Sequence, residues 1–185
     1  MSPLLVWALR MVTDFAGDIL AARTVHRRLE ANIPTTGRPE GRADIRAWLD
    51  WQLASGRPLP GCSLPGLAHR AKRRTTTLTA PVSLRFIAGT LGVTIHQVSR
   101  EIERQPRLLD TLGTAPDAPL DLPITGLLDG RAWTNSIDFE AVAALTAHLH
   151  TAALITVAYL SGMRPEECFT SNAAAAPGSR APATA

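Results

Sequence analysis

The sequence predicts a mainly α-helical protein, with one candidate for a small β-hairpin near residues 122–134. Apolar residues recur at helical spacing in several stretches, and glycine or proline closes most of them. The chain has 185 residues, of which 45% are hydrophobic. It is therefore long enough to bury one sizeable core, or two small cores joined by a linker.

The first helix is predicted from Ser2 to about Asn32, with cations near its end, where they interact favourably with the helix dipole. The apolar residues near one face are Trp7, Met11, Phe15 and Ile19. Arg10, Asp14 and Asp18 follow one another at four-residue steps and form a polar stripe. Such a stripe is not expected of a signal peptide.

A second helix is predicted from about Arg42 to Ser55, where a glycine and two prolines follow. The next stretch, from Arg57 to Ala80, reads as irregular and carries four cations within five residues. These are Arg70, Lys72, Arg73 and Arg74. Such a cluster can neutralise several phosphates at once, independently of base sequence. The alternative is a solvated basic linker.

The stretch from Leu84 to Arg104 has the spacing of a helix-turn-helix. Ala88 is the small residue where two helices would touch, Gly92 lies in the turn, and Val98 anchors the second helix. Thr94 followed by Gln97 is a capping-box pattern. The residues predicted to face outward are His96, Gln97, Arg100 and Arg104, and glutamine and arginine can pair with base edges. The alternative is a helical hairpin that contacts only nucleic-acid backbone, or nothing.

A proline-rich crossing from Pro106 to Pro123 then marks a boundary. Asp129-Gly130 is typical of a hairpin turn. A long helix is predicted from Phe139 to Leu160, and its part after residue 140 carries no full charge. Its threonines and histidines make it a poor membrane span, so we expect a fully buried helix or helix pair.

The segment from Tyr159 to Glu167 ends this helix at a glycine and presents an arginine, with a carboxylate three positions further on. It resembles the first active-site box of the tyrosine recombinases, the phage-type site-specific integrases. That box has the pattern Thr/Ser-Gly-x-Arg-x-x-Glu, and Ser161, Gly162, Arg164 and Glu167 fill it in register.

The resemblance implies that Arg164 binds the scissile phosphate of double-stranded DNA and that Glu167 supports it. A fixed guanidinium stabilises the charge that develops on an attacked phosphodiester. The family layout further implies a helical, core-binding-like DNA-gripping region over residues 1–115, a linker or hairpin over 116–135, and the N-terminal piece of a catalytic domain over 136–169. The composition of residues 170–185 predicts a disordered tail.

The later boxes of the family are missing from this sequence: a lysine, a His-x-x-Arg box, a further His or Trp, and the nucleophilic tyrosine. Tyr159 is the single tyrosine, lies upstream of Arg164, and is predicted to be a core residue. We therefore expect a truncated or frame-shifted recombinase that binds DNA without cleaving it alone, and leave open whether it is an enzyme. Truncation should expose apolar surface around Leu154, Val157 and Phe169.

A small helix-turn-helix transcriptional regulator is the alternative from a different functional class, and a helical interaction protein without a nucleic-acid role is a third. The net charge is +3, and almost all of the basic residues are arginine. This agrees weakly with a phosphate-bearing partner. Cys62 and Cys168 show neither disulfide nor metal-ligand spacing. We expect a cytoplasmic protein without metal, cofactor or membrane association, whose partners are double-stranded DNA and, on it, a second copy.

Overall fold

The computed structural model describes residues 2–62 and 82–162, and this part of the chain is mainly helical, as predicted. The helices are α1 (Pro3–Arg10), α2 (Ala16–Ala31), α3 (Gly41–Ser55), α4 (Leu84–Leu91), α5 (Ile95–Glu103), α6 (Pro106–Leu112) and α7 (Val142–Ser161). A two-stranded antiparallel sheet consists of β1 (Leu127–Leu128) and β2 (Arg131–Ala132). The tail predicted over residues 170–185 lies outside the described residues.

The long first helix is present, but a π-helical segment, Met11–Phe15, separates α1 from α2. Phe15 and Ile19 are buried as predicted, whereas the placement of Trp7 on the same face is wrong, because Trp7 is 55% exposed. Leu5 and Ala8 are buried instead. The wider π turns interrupt the 3.6-residue period, so residues before the segment do not stay in phase with those after it.

One core lies among α3, α4 and α5. Its buried residues are Ile45, Leu49, Leu59, Ile87, Ala88, Val93, Val98 and Ile102. The helix α3 ends at Gly56, which has φ of 63° and supplies the left-handed residue that closes many helices. The segments between these helices are joined by isolated bridges, including Leu59 with Thr114 and Gly61 with Val82.

The predicted hairpin is confirmed, with strands shorter than expected. Asp129 and Gly130 both have positive φ, 52° and 81°, which is the requirement of a type I′ turn. The buried carboxylate of Asp18 on α2 anchors the residues just before β1. It accepts hydrogen bonds from the backbone N–H groups of Thr125 and Gly126 and from the Trp133 indole.

The long apolar helix α7 packs against α1 and α2 along one face. Its predicted full burial is wrong. By length and composition it could cross a membrane. Only 17% of its most apolar 18-residue stretch is buried inside the protein. The predicted core position of Tyr159 is also wrong, since it is 62% exposed. Within the described ranges, no other helix or strand packs on the face of α7 that points away from α1 and α2, so the apolar residues of that face stay accessible.

The apolar surface predicted near the end of α7 is present in part. Val157 is exposed and Leu154 is half-buried, while Phe169 lies outside the described residues. The domain division at about residue 115 stays a prediction. Helices from the two sides of that boundary nevertheless pack together, because α1 and α2 contact α7 and α2 shares its apolar clusters.

Candidate nucleic-acid interface

The helices α4 and α5 form the predicted helix-turn-helix pair. Gly92 ends α4 with φ of 62°, and Val93 directly after it is fully buried. Ala88 is buried where α4 meets its neighbours, and Val98 and Ile102 of α5 point into the same core. Because these apolar residues fix the inner face of α5, its opposite face is directed to solvent.

The predicted capping box of α5 is confirmed. The hydroxyl of Thr94 accepts a hydrogen bond from the backbone N–H of Gln97 at 3.2 Å, and the Gln97 side chain accepts one from the backbone N–H of Thr94. The box satisfies two of the backbone donors that every helix leaves unpaired at its N-terminus. It also fixes the rotamer of Gln97.

The Gln97 amide has a further partner that its sequence spacing does not indicate. Its Nε2 donates to the backbone carbonyl of Arg38 at 2.7 Å, in the loop before α3. Gly37 and Gly41 lie so close that a Cβ on either would be 3.0 Å from the Gln97 side chain. The amide group is therefore engaged within the protein, and Gln97 must break these bonds before it could reach a base edge.

The outward face of α5 carries two arginines and a histidine. His96, Arg100 and Arg104 are exposed and follow one another at four-residue steps, so they lie along one side of the helix. Glu103 is also exposed on α5 and accepts a hydrogen bond from the Ser99 hydroxyl at 2.9 Å. The structure thus brings three of the four predicted contact residues of this helix together on its accessible side.

Beside this face lies a group of four charged residues, which we call the Glu101 cluster: Glu101 from α5, Arg104 directly after α5, and Arg42 and Arg46 from α3. The Glu101 side chain is 1% exposed. Its Oε1 accepts from Arg46 Nε at 2.5 Å, and its Oε2 accepts from Arg104 at 3.0 Å. Arg42 Nε lies 3.5 Å from Oε2.

Burial alone would raise the pKa of Glu101, but the hydrogen bonds and charges of Arg46 and Arg104 outweigh it and hold the pKa below its usual range. The carboxylate therefore stays ionised at neutral pH. It can hold the arginines in fixed positions, which is how an acid prepares cations to meet an anion.

The sequence analysis missed Arg42, Arg46 and Glu101. A local signal was present: Glu101 follows Val98 by three positions, which places this acid on the inward face of α5. A buried acid needs a partner, and Arg42 and Arg46 are spaced by one turn on α3. The pairing itself spans 55 residues between Arg46 and Glu101 and could not be read from either helix alone.

Two other predicted sets lie outside the described residues. These are the basic run of Arg70, Lys72, Arg73 and Arg74, and the recombinase box residues Arg164 and Glu167. The helix leading to the box ends at Gly162 with φ of 65°, as its sequence predicts. Within the described ranges, no group of three or more His, Cys, Asp and Glu side chains is arranged to hold a metal ion.

Comparisons of the chain with protein-family models, with curated proteins and with solved structures gave no match. The resemblance to the tyrosine recombinases therefore stays a prediction carried by residues 161–167.

Proposed function

We propose that this protein binds double-stranded DNA through the exposed face of α5, mainly by contacts to phosphates, and that it is a recombinase-like fragment acting in the cytoplasm. The observation that carries the proposal is the packing of the α4–α5 pair. It buries Val98 and Ile102 and leaves His96, Arg100 and Arg104 along the accessible side of α5. Arginines along one helix face can follow a phosphate backbone.

The engagement of Gln97 favours backbone contact over base reading. In helix-turn-helix proteins that read sequence, residues near the N-terminus of the second helix reach base edges in the major groove. Here that end of α5 is held to the loop before α3 through the Gln97 amide. A guanidinium such as that of Arg100 can still meet phosphate from the exposed side.

Binding can be measured by fluorescence anisotropy with two duplexes of unrelated sequence, between 50 and 200 mM salt. We expect both duplexes to bind alike, with affinity that falls as salt rises. Arg100→Ala should weaken both equally and reduce the slope of log K against log salt by about 0.9, the value of one phosphate contact. Gln97→Ala should leave the slope unchanged.

The matched control is Arg131→Ala, which removes the same charge from an exposed position on β2. It should alter neither affinity nor slope. Absence of salt-dependent binding to either duplex would overturn the proposal and favour a helical interaction protein. A loss on Gln97→Ala confined to one duplex would instead support the transcriptional regulator, which the α4–α5 geometry keeps as second candidate.

The proposal covers binding and excludes strand cleavage by the protein alone. Tyr159 is the single tyrosine of the sequence and lies on the exposed side of α7. After incubation with a nicked duplex, a denaturing gel should show no covalent protein–DNA adduct. A reproducible adduct that disappears in Tyr159→Phe would contradict this part of the proposal.

A further inference from the structure

The Glu101 cluster holds more positive charge than its carboxylate requires. One arginine suffices to neutralise one buried glutamate, yet three approach it, so three positive charges against one negative leave the cluster at +2. The three arginine side chains are not buried with the acid. Those of Arg42, Arg46 and Arg104 are 54%, 53% and 44% exposed.

The geometry leaves donors available. Arg42 and Arg46 both approach Glu101 through Nε, and a guanidinium carries five N–H donors in a rigid fork. Within the described ranges, no hydrogen bond occupies the terminal NH₂ groups of these two side chains. The buried Glu101 carboxylate thus fixes the guanidinium groups of Arg42 and Arg46, while part of each group faces solvent.

The position of Arg42 is not explained by helix stability. It is the second residue of α3, where the positive end of the helix dipole disfavours a cation. Its distance of 3.5 Å from Glu101 makes its ion pair the longest of the three. An anion bound from the solvent side would account for a cation at this place.

We propose that the Glu101 cluster is a phosphate-binding clamp, in which Arg42, Arg46 and Arg104 together receive the backbone of duplex DNA. This inference rests on the proposed function and extends it from α5 onto α3. Arg104 belongs to both surfaces, because it follows Arg100 by one helical turn and donates to Glu101. With this clamp, both α3 and α5 would contact DNA, and the bonds of Glu101 would fix the position of one helix relative to the other.

The decisive variants are Arg42→Ala and Arg46→Ala, compared with Arg131→Ala and Arg100→Ala on the two unrelated duplexes. Each cluster variant should reduce the salt slope by about 0.9, equivalent to about a threefold smaller change of affinity between 50 and 200 mM salt. The double variant should reduce it by about 1.8. Arg46→Lys should retain the slope, because it keeps the charge, and bind more weakly, because it loses the fork.

Circular dichroism and thermal unfolding of each variant separate binding from folding. Arg42→Ala should unfold at the wild-type temperature, so it remains informative even if Arg46→Ala is destabilised. Wild-type binding and slope in both cluster variants, with loss in Arg100→Ala, would overturn the clamp and leave the proposed function standing. A wild-type protein that binds neither duplex would overturn both, and unequal losses on the two duplexes would exclude a clamp for backbone phosphate.

Discussion

Two buried carboxylates in this protein are satisfied in opposite ways. Asp18 on α2 is 3% exposed and is held by neutral donors: the backbone N–H groups of Thr125 and Gly126, the Thr125 hydroxyl and the Trp133 indole. Glu101 on α5 is 1% exposed and is held by arginines whose side chains stay about half exposed. We call the Asp18 site the closed site, because its donors are neutral. We call the Glu101 site the open site, because exposed arginines surround its carboxylate.

The difference separates a site that stabilises the fold from a surface that we propose to bind DNA. At Asp18 the partners are neutral: Gly126 is buried, Trp133 is half-buried and Thr125 is exposed. Gly126 lies so close to α2 that an added Cβ would meet the backbone oxygen of Asp14 at 2.4 Å. All four donors are uncharged and already bonded to Asp18, so this site offers no cation to an anion. At Glu101 the partners reach into solvent, so the same acid can organise cations and leave them accessible to an anion.

The largest expected effect is on folding, at the closed site. Asp18→Ala should lower the free energy of unfolding by about 3 to 5 kcal/mol, because it leaves four donors of buried or part-buried hydrogen bonds without an acceptor. Denaturant unfolding followed by circular dichroism measures it. Asp18→Asn is the matched control and should cost less, since it keeps one acceptor oxygen. A loss below about 1 kcal/mol for Asp18→Ala would contradict a closed site.

Acid should weaken the closed site in a defined pH window. Burial alone would raise the pKa of Asp18, but its hydrogen bonds outweigh burial and lower the pKa from 3.8 to about 2. A carboxyl with a lowered folded-state pKa stabilises the fold above its unfolded value and loses that contribution as pH falls. The free energy of unfolding should therefore drop by about 2 kcal/mol between about pH 4 and pH 2.

Asp18→Asn should flatten this pH dependence, while Asp110→Asn, at an exposed position on α6, serves as the control and should keep it. Part of the slope should remain in Asp18→Asn, because the pKa of Glu101 is also lowered and acts with the same sign. Identical acid profiles for wild type and Asp18→Asn would show that Asp18 does not stabilise the fold through its charge.

The open site should tolerate loss of its acid better than the closed site. Glu101→Ala frees arginines that can turn to water, so we expect a cost of about 1 to 2 kcal/mol. Unfolding measured beside Asp18→Ala tests the ranking directly. Glu101→Gln should fall between wild type and Glu101→Ala. A cost for Glu101→Ala equal to that of Asp18→Ala would remove the distinction between the two sites.

The smallest effect is expected at the capping box. Gln97→Ala removes the Arg38 contact and half of the box and should cost about 1 kcal/mol, with Thr94→Ala costing a similar amount. Thermal unfolding of both variants checks this. Half-buried Ser99 is not part of the box, so Ser99→Ala is the control and should change stability little. A neutral Gln97→Ala would mean that the amide is dispensable for the fold.

Local features of the fold were predictable because their causes lie within a few residues. The turn at Asp129-Gly130, the glycine that ends α4 and the Thr94–Gln97 box were each recognised from short patterns and are present. The errors have causes that such short patterns do not show. Trp7 was misplaced because the π-helical segment shifts the helical phase, and Tyr159 because nothing in its own helix shows which faces a neighbour covers.

The candidate site divides in the same way. The amphipathic pattern of α5 was enough to direct His96, Arg100 and Arg104 outward. The same pattern placed Gln97 outward, but its bond to the Arg38 carbonyl depends on a loop 59 residues earlier in the chain. Arg42 and Arg46 become part of the candidate site because they pair with Glu101, and they reach it because α3 packs on α5.

By itself, the sequence determined where α3 and α5 begin and end and which side of α5 is apolar, because capping, turn geometry and helical periodicity act between near neighbours. The tertiary structure alone decided what each buried acid meets. Asp18 and Thr125 are 107 residues apart, and Glu101 and Arg46 are 55 apart. Whether a carboxylate is enclosed by neutral donors or surrounded by exposed cations follows from packing between helices, and that choice separates the closed site from the surface proposed to meet DNA.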